Sequence, residues 1–202
     1  MKQLHTAWLL AATCAFASSA QATFLNNATG LNAPEQTITF ESVPLVINQA
    51  VTTQFADLGV TFSNAFANPN GATPYPNMSG NNISNFRSHE QQDGLFTMTF
   101  AEDKSQAAFA MVSSPGIATI QAWFDGHVVE SAMPASTFTT NVNYFGFQDV
   151  VFDQITISVA SFDHALVIDN LQTVSAVPEP ASFVLLSAGL MALGAIRRRR
   201  ET

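Results

Sequence analysis

Positive charge is scarce in this chain of 202 residues, which carries seven Lys and Arg against fifteen Asp and Glu and is only 11% charged overall. An ordinary soluble domain carries about 25%. Four of the basic residues form one run, Arg197 to Arg200, and a fifth is Lys2. Residues 23–176 therefore keep only Arg87 and Lys104 against thirteen carboxylates, a net charge of −11. Such a surface repels phosphate backbones, which excludes nucleic acid as a partner. It attracts divalent cations or keeps a protein dispersed outside the cell. Cysteine is nearly absent too, Cys14 being the only one. No G-x-S-x-G elbow, P-loop, G-x-G-x-x-G or H-E-x-x-H is present, and His89, His127 and His164 match no zinc spacing. No stretch shows a sustained helical stripe, and no internal repeat is countable.

What the chain does contain begins with two targeting segments. Met1-Lys2, the apolar stretch Ala7 to Ala17 and the A-x-A site Ala20-Gln21-Ala22 predict a secretory signal peptide over residues 1–22. The Sec translocon is then the first partner. Cys14 lies inside that leader, and Ala11-Ala12-Thr13 before it fits a lipoprotein signal poorly. The exported chain thus lacks disulfides, thiolate metal sites and cysteine nucleophiles.

At the other end, Val177-Pro178-Glu179-Pro180 precedes an uncharged run from Ala181 to Ile196 and then Arg197, Arg198, Arg199 and Arg200. As a helix that run spans about 24 Å, short of the roughly 30 Å hydrocarbon core, though arginines snorkel. It reads as a short transmembrane helix with its arginines on the cytoplasmic side. These parts, in this order, resemble the PEP-CTERM sorting signal of Gram-negative bacteria over residues 177–202. The resemblance implies recognition by an exosortase, an integral-membrane transpeptidase-like enzyme. Pro178, Glu179 and Pro180 with Arg197 to Arg200 would be the recognition residues, as substrate and not as catalyst. It also implies an inner-membrane anchored precursor, then a place at the cell surface or in an exopolysaccharide or biofilm matrix.

Residues 23–176 alternate with period two. Thr37 to Glu41, Val60 to Phe62, Leu95 to Phe100, Ala118 to Phe124, Gln154 to Val159 and Ala165 to Leu171 read as strands. Rich in Thr, Ile, Val and Phe, they predict an all-β fold, a single β-sandwich. Phe40, Phe62, Phe96, Phe100, Phe109 and Phe152 fall on the inward class. Asp125-Gly126-His127 reads as a hairpin turn.

The connection Ser63 to Gly94 holds seven asparagines with Tyr75, Arg87, His89 and Glu90. It is long enough to be a functional loop or a mobile one. Tyr75 and Arg87, together with Trp123 on an outward strand position, are the candidate contacts for an extracellular polysaccharide. No motif requires a cofactor and no catalytic set is assigned.

The segments Thr37-Ile38-Thr39-Phe40-Glu41 and Val167-Ile168-Asp169-Asn170-Leu171 resemble the first and last strands of jelly-roll carbohydrate-binding modules. That resemblance implies a structural calcium, with Glu41 and Asp169 as its side-chain ligands. Against it, Glu41 continues an outward class and Asp169 also reads as a turn cap through Asn170. The functional expectation is a non-catalytic, exported surface or matrix protein that binds polysaccharide. A purely structural surface protein and a matrix hydrolase are the alternatives.

Overall fold

A computed structural model of the chain describes residues 22–69, 74–87, 95–161 and 163–177. Eleven strands run through them: β1 (Thr23–Asn27), β2 (Gln36–Ile38), β3 (Val60–Ser63), β4 (Phe66–Ala67), β5 (Ile83–Ser84), β6 (Phe96–Ser113), β7 (Gly116–Phe124), β8 (His127–Ala132), β9 (Ala135–Ser136), β10 (Tyr144–Ala160) and β11 (Leu166–Ser175). The fold is all-β, as the alternation predicts. The leader and the C-terminal apolar run lie outside the described residues. Among the described residues no helix is long and apolar enough to cross a membrane.

Two long strands organise the architecture. Residues 96–100 of β6 pair with β3 and with 154–157 of β10, while 104–113 pair with β11 and with 144–148 of β10. The register slips between Gln148 and Gln154, where Asp149 takes a φ of 59°. Bulges of this kind bend a strand and let it pass from one layer to the next. One layer is therefore β3, the first part of β6, the last part of β10, β7, β8 and β9. The other is β1, the first part of β10, the last part of β6, β11, β2, β5 and β4.

The inward residues of both layers share one core. Phe62, Phe96, Met98, Phe109, Met111, Ile120, Phe145, Phe147, Ile155, Ile157 and Leu171 belong to it, and all six phenylalanines assigned inward by sequence are buried. Phe152 sits at the bend and meets the Phe100 ring edge-on at 5.9 Å. Gly146 marks the tightest approach, since a Cβ there would lie 1.9 Å from the Ala107 carbonyl oxygen. The β7–β8 hairpin turns at Asp125 and Gly126, both at positive φ, as the Asp-Gly pair requires.

Two expectations need correction. The predicted strand Thr37 to Glu41 stops at Ile38, because Phe40 adopts a φ of 62° that no strand accommodates. The described part of the Asn-rich connection is packed and not a loose surface loop. It contributes β4 and β5, and Met78, Asn82, Ile83, Ser84 and Asn85 are buried. Its asparagines make this possible by satisfying backbone groups that burial would orphan. Asn85 donates to the His164 carbonyl at 2.8 Å and accepts from the Leu166 N–H at 2.9 Å. Asn64 donates to the Leu95 carbonyl, and Asn77 donates to the Asn143 amide oxygen.

Candidate functional site

The pairing of Leu171 with Ile38 sets the end of the sandwich beside its beginning. Just past β2 the chain turns at Phe40. A positive φ is unusual for so bulky a residue, and here packing enforces it. The buried Phe40 ring meets Phe55 and Phe62 edge-on at 5.1 and 5.9 Å. The turn carries Glu41 toward residues 79–82. Its Oε1 accepts the Asn81 N–H at 2.5 Å, and Asn81 Nδ2 returns a bond to the Phe40 carbonyl at 3.3 Å. Gly80, at a φ of 52°, presses so closely that a Cβ would meet Glu41 Oε1 at 2.1 Å.

Asp169 approaches the same loop from β11. It is fully buried, with Oδ2 accepting the Ser79 N–H at 2.9 Å and Oδ1 the Asn170 N–H at 2.6 Å. Asn170, itself at a φ of 50°, donates its side-chain amide to the Asn77 carbonyl at 2.8 Å. Residues 79–81 thus bridge two carboxylates. Asn82 follows directly. The β5–β11 register, Ser84 opposite Val167 and Ile83 opposite Ile168, stops one residue short of Asp169 and Asn82. Its amide nitrogen donates to the Gly80 carbonyl at 3.3 Å, whereas its buried Oδ1 has no hydrogen-bond partner. An orphaned buried acceptor costs about 1–3 kcal/mol.

The electrostatics agree with the geometry. Burial pushes the Asp169 carboxyl up, the Ser79 and Asn170 N–H groups pull it down, and the charge of Glu41 pushes it up again. The result is a pKa of about 7. Two carboxylates and an unpaired amide oxygen are hard donors of the type that calcium takes. A cation bridging the two carboxylates would relieve the desolvation and the like charge together. Among the described residues no three His, Cys, Asp or Glu gather. The remaining ligands of such an ion would therefore be backbone oxygens and water.

The three residues expected to contact sugar rest on different supports. Tyr75 stacks on Phe138, ring centroids 5.1 Å apart. It packs against the second buried cluster of Leu25, Leu31, Met78, Ala108, Val112 and Tyr144, whose strand members alternate with the core residues. Arg87 is exposed, with its guanidinium 4.4 Å from the Phe66 ring centroid. Trp123 is half-buried on the outer side of β7, its indole N–H donating to Thr156 Oγ1 at 3.0 Å. It belongs to an uncharged row of Thr61, Thr99, Gln154, Trp123 and Val128, in register across β3, β6, β10, β7 and β8. Gln154 is tied to Thr99 at 3.2 Å.

The described histidines, His127 and His164, take part in neither arrangement. His127 is exposed at the hairpin, and His164 Nδ1 lies 2.7 Å from the Val159 carbonyl. Beside it, Asp163 staples the turn before β11. Burial raises its carboxyl, but bonds from the Ala165 N–H and the Ser114 and Ser161 hydroxyls outweigh this and lower it. His89, Pro178, Glu179, Pro180 and Arg197 to Arg200 lie outside the described residues.

Sequence reading singled out Glu41 and Asp169, which the fold brings to one loop. It missed Ser79, Gly80 and Asn82. The local signal was Gly80-Asn81-Asn82, a turn-forming triplet directly before a strand. Residues 176–200 match the family model of the PEP-CTERM protein-sorting motif. Comparison with curated proteins gives no match.

Proposed function

We propose, from the premise that this chain is an exosortase-sorted exported protein with a membrane-anchored precursor, that its ectodomain is a non-catalytic, polysaccharide-binding sandwich of the cell surface or matrix. One structural calcium is held between Glu41 and Asp169. The observation that carries the calcium is the buried Asp169 carboxylate, raised by burial and by the charge of Glu41, both carboxylates being bonded to the loop that runs into Asn82 with its unpartnered amide oxygen. Bound there, the ion supplies a fixed positive charge and no reaction chemistry. Glu41 and Asp169 would hold it, with Asn82 as the neutral oxygen donor.

For polysaccharide, support comes from the destination that the sorting motif implies and from Trp123. An aromatic face beside threonine hydroxyls and a glutamine amide offers stacking together with neutral hydrogen bonding. Tyr75 is a weaker candidate, because Phe138 covers one of its faces. The test is retention of the processed protein on polysaccharide extracted from the producing cells, with Trp123→Ala and the double change Tyr75→Ala, Arg87→Ala compared. Loss with the first alone supports the outer row of the sheet. Loss with the second alone returns the contact to the Asn-rich connection. Retention unchanged in both removes the sugar reading and leaves a structural surface protein.

A further inference from the structure

The sheet ends where the sorting motif begins. β11 closes at Ser175, paired with Lys104 after a register shift. One residue later the Ala176 N–H donates to the Asp103 carbonyl at 2.9 Å. Ala176 is also the first residue of the motif match. Only Val177, 81% exposed, separates that last backbone bond from Pro178.

This strand end is tied down by three side chains. The Ser175 N–H donates to Glu35 Oε2 at 2.9 Å. Ser105 Oγ donates to the Ser175 carbonyl at 3.1 Å. Lys104, only 7% exposed, extends its ammonium to Ser175 Oγ at 3.2 Å. One of the two cations of the ectodomain is thus spent on holding a terminal serine.

Chain length then fixes what lies nearby. From Ala176 to Pro180 there are five residues before the apolar run begins at Ala181. Fully extended they reach about 18 Å, so this end of the sandwich is held close to the membrane in the precursor. An enzyme that reads a peptide in extended form needs residues on both sides of the bond it cuts, commonly paired as an added strand. Upstream of Pro178 those residues are Val177, Ala176 and Ser175, and two of the three are already bonded into the sandwich. The rim around them carries Glu35, Glu102 and Asp103, all exposed. Anionic headgroups repel such a rim, whereas a basic protein surface complements it.

We propose that this rim, Glu35, Glu102 and Asp103, docks on the membrane-embedded sorting enzyme, and that docking draws Ser175 and Ala176 off β6 into the enzyme's substrate channel. The inference rests on the reading that the chain is processed at its sorting motif. Cleavage chemistry belongs to the enzyme. This chain contributes the scissile amide and the strand that must open.

The test is pulse-chase conversion of the full precursor in cells with an active exosortase. An eight-residue Gly-Ser spacer between Val177 and Pro178 supplies extended residues without opening the sheet. Conversion is expected to quicken about fivefold, the weight of one net hydrogen bond. Ser105→Ala loosens the strand end without altering the charge of the rim, so it should speed the parent chain and leave the spacer chain unchanged. Glu102→Lys with Asp103→Lys should slow the parent. A spacer chain converted at the parental rate or more slowly overturns the proposal. Replacing Pro178, Glu179 and Pro180 by Ala is the separate control. It should abolish conversion, and a chain still converted overturns the sorting reading instead.

Discussion

Replacing Asp169 by Asn should make the ectodomain more stable at pH 8 in chelator, although it alters a fully buried group that accepts two hydrogen bonds. The folded-state pKa is about 7 against an ordinary 3.8. A raised carboxylate pKa means that the folded state binds the proton more tightly than the unfolded chain. This group's contribution is therefore complete below pH 3.8 and is lost as pH rises through 7. Each pKa unit is worth 1.36 kcal/mol, so the loss by pH 8 approaches roughly 4 kcal/mol. Asn has the shape of the protonated acid and never ionises. Its amide cannot accept both N–H bonds, which returns about 1–3 kcal/mol of cost. Urea unfolding of the processed protein in chelator should therefore show wild type falling relative to Asp169→Asn from pH 4 to pH 8. Calcium offsets that difference. At a hundredfold excess over Kd it stabilises wild type by about 2.7 kcal/mol, or about 5–10 °C in a domain of this size, and it should leave Asp169→Asn unmoved. A stability difference between the two that does not change with pH refutes the electrostatic argument. An equal calcium response in both refutes the site.

Three other outcomes follow from the structure. Gly146→Ala should destabilise by about 2–3 kcal/mol, read as a shift in urea midpoint, because the added methyl meets the Ala107 carbonyl oxygen and not a movable side chain. Trp123→Ala should lower polysaccharide retention and leave the melting temperature within a few degrees, since the indole lies outside the core cluster and gives up one hydrogen bond to Thr156. Intact mass of the protein recovered from the cell surface should exclude Arg197 to Arg200, and finding them attached in a strain with active exosortase would leave a plain tail anchor.

Local patterns were legible in the sequence because one residue type at one spacing carries them. Period-two alternation identified Phe96, Met98 and Phe100 as inward, and Ile155 and Ile157 likewise, since a one-residue slip would expose every one of them. Asp125-Gly126 named its turn because few residues tolerate positive φ. The sorting motif is contiguous, so its recognition needed no fold. What only the tertiary structure decided was which distant segments meet. Glu41 lies forty residues from Asn81, and Ser79 lies ninety from Asp169. They come together because β2 and β5 both pair with β11. The bends in β6 and β10 likewise carry no local signature, yet they assign each half of a long strand to its layer. The positive φ of Phe40 runs against what its side chain prefers in isolation. Only the packing of Phe55 and Phe62 around it makes that turn the lower-energy choice, and the turn is what aims Glu41 at the loop that Asp169 also holds.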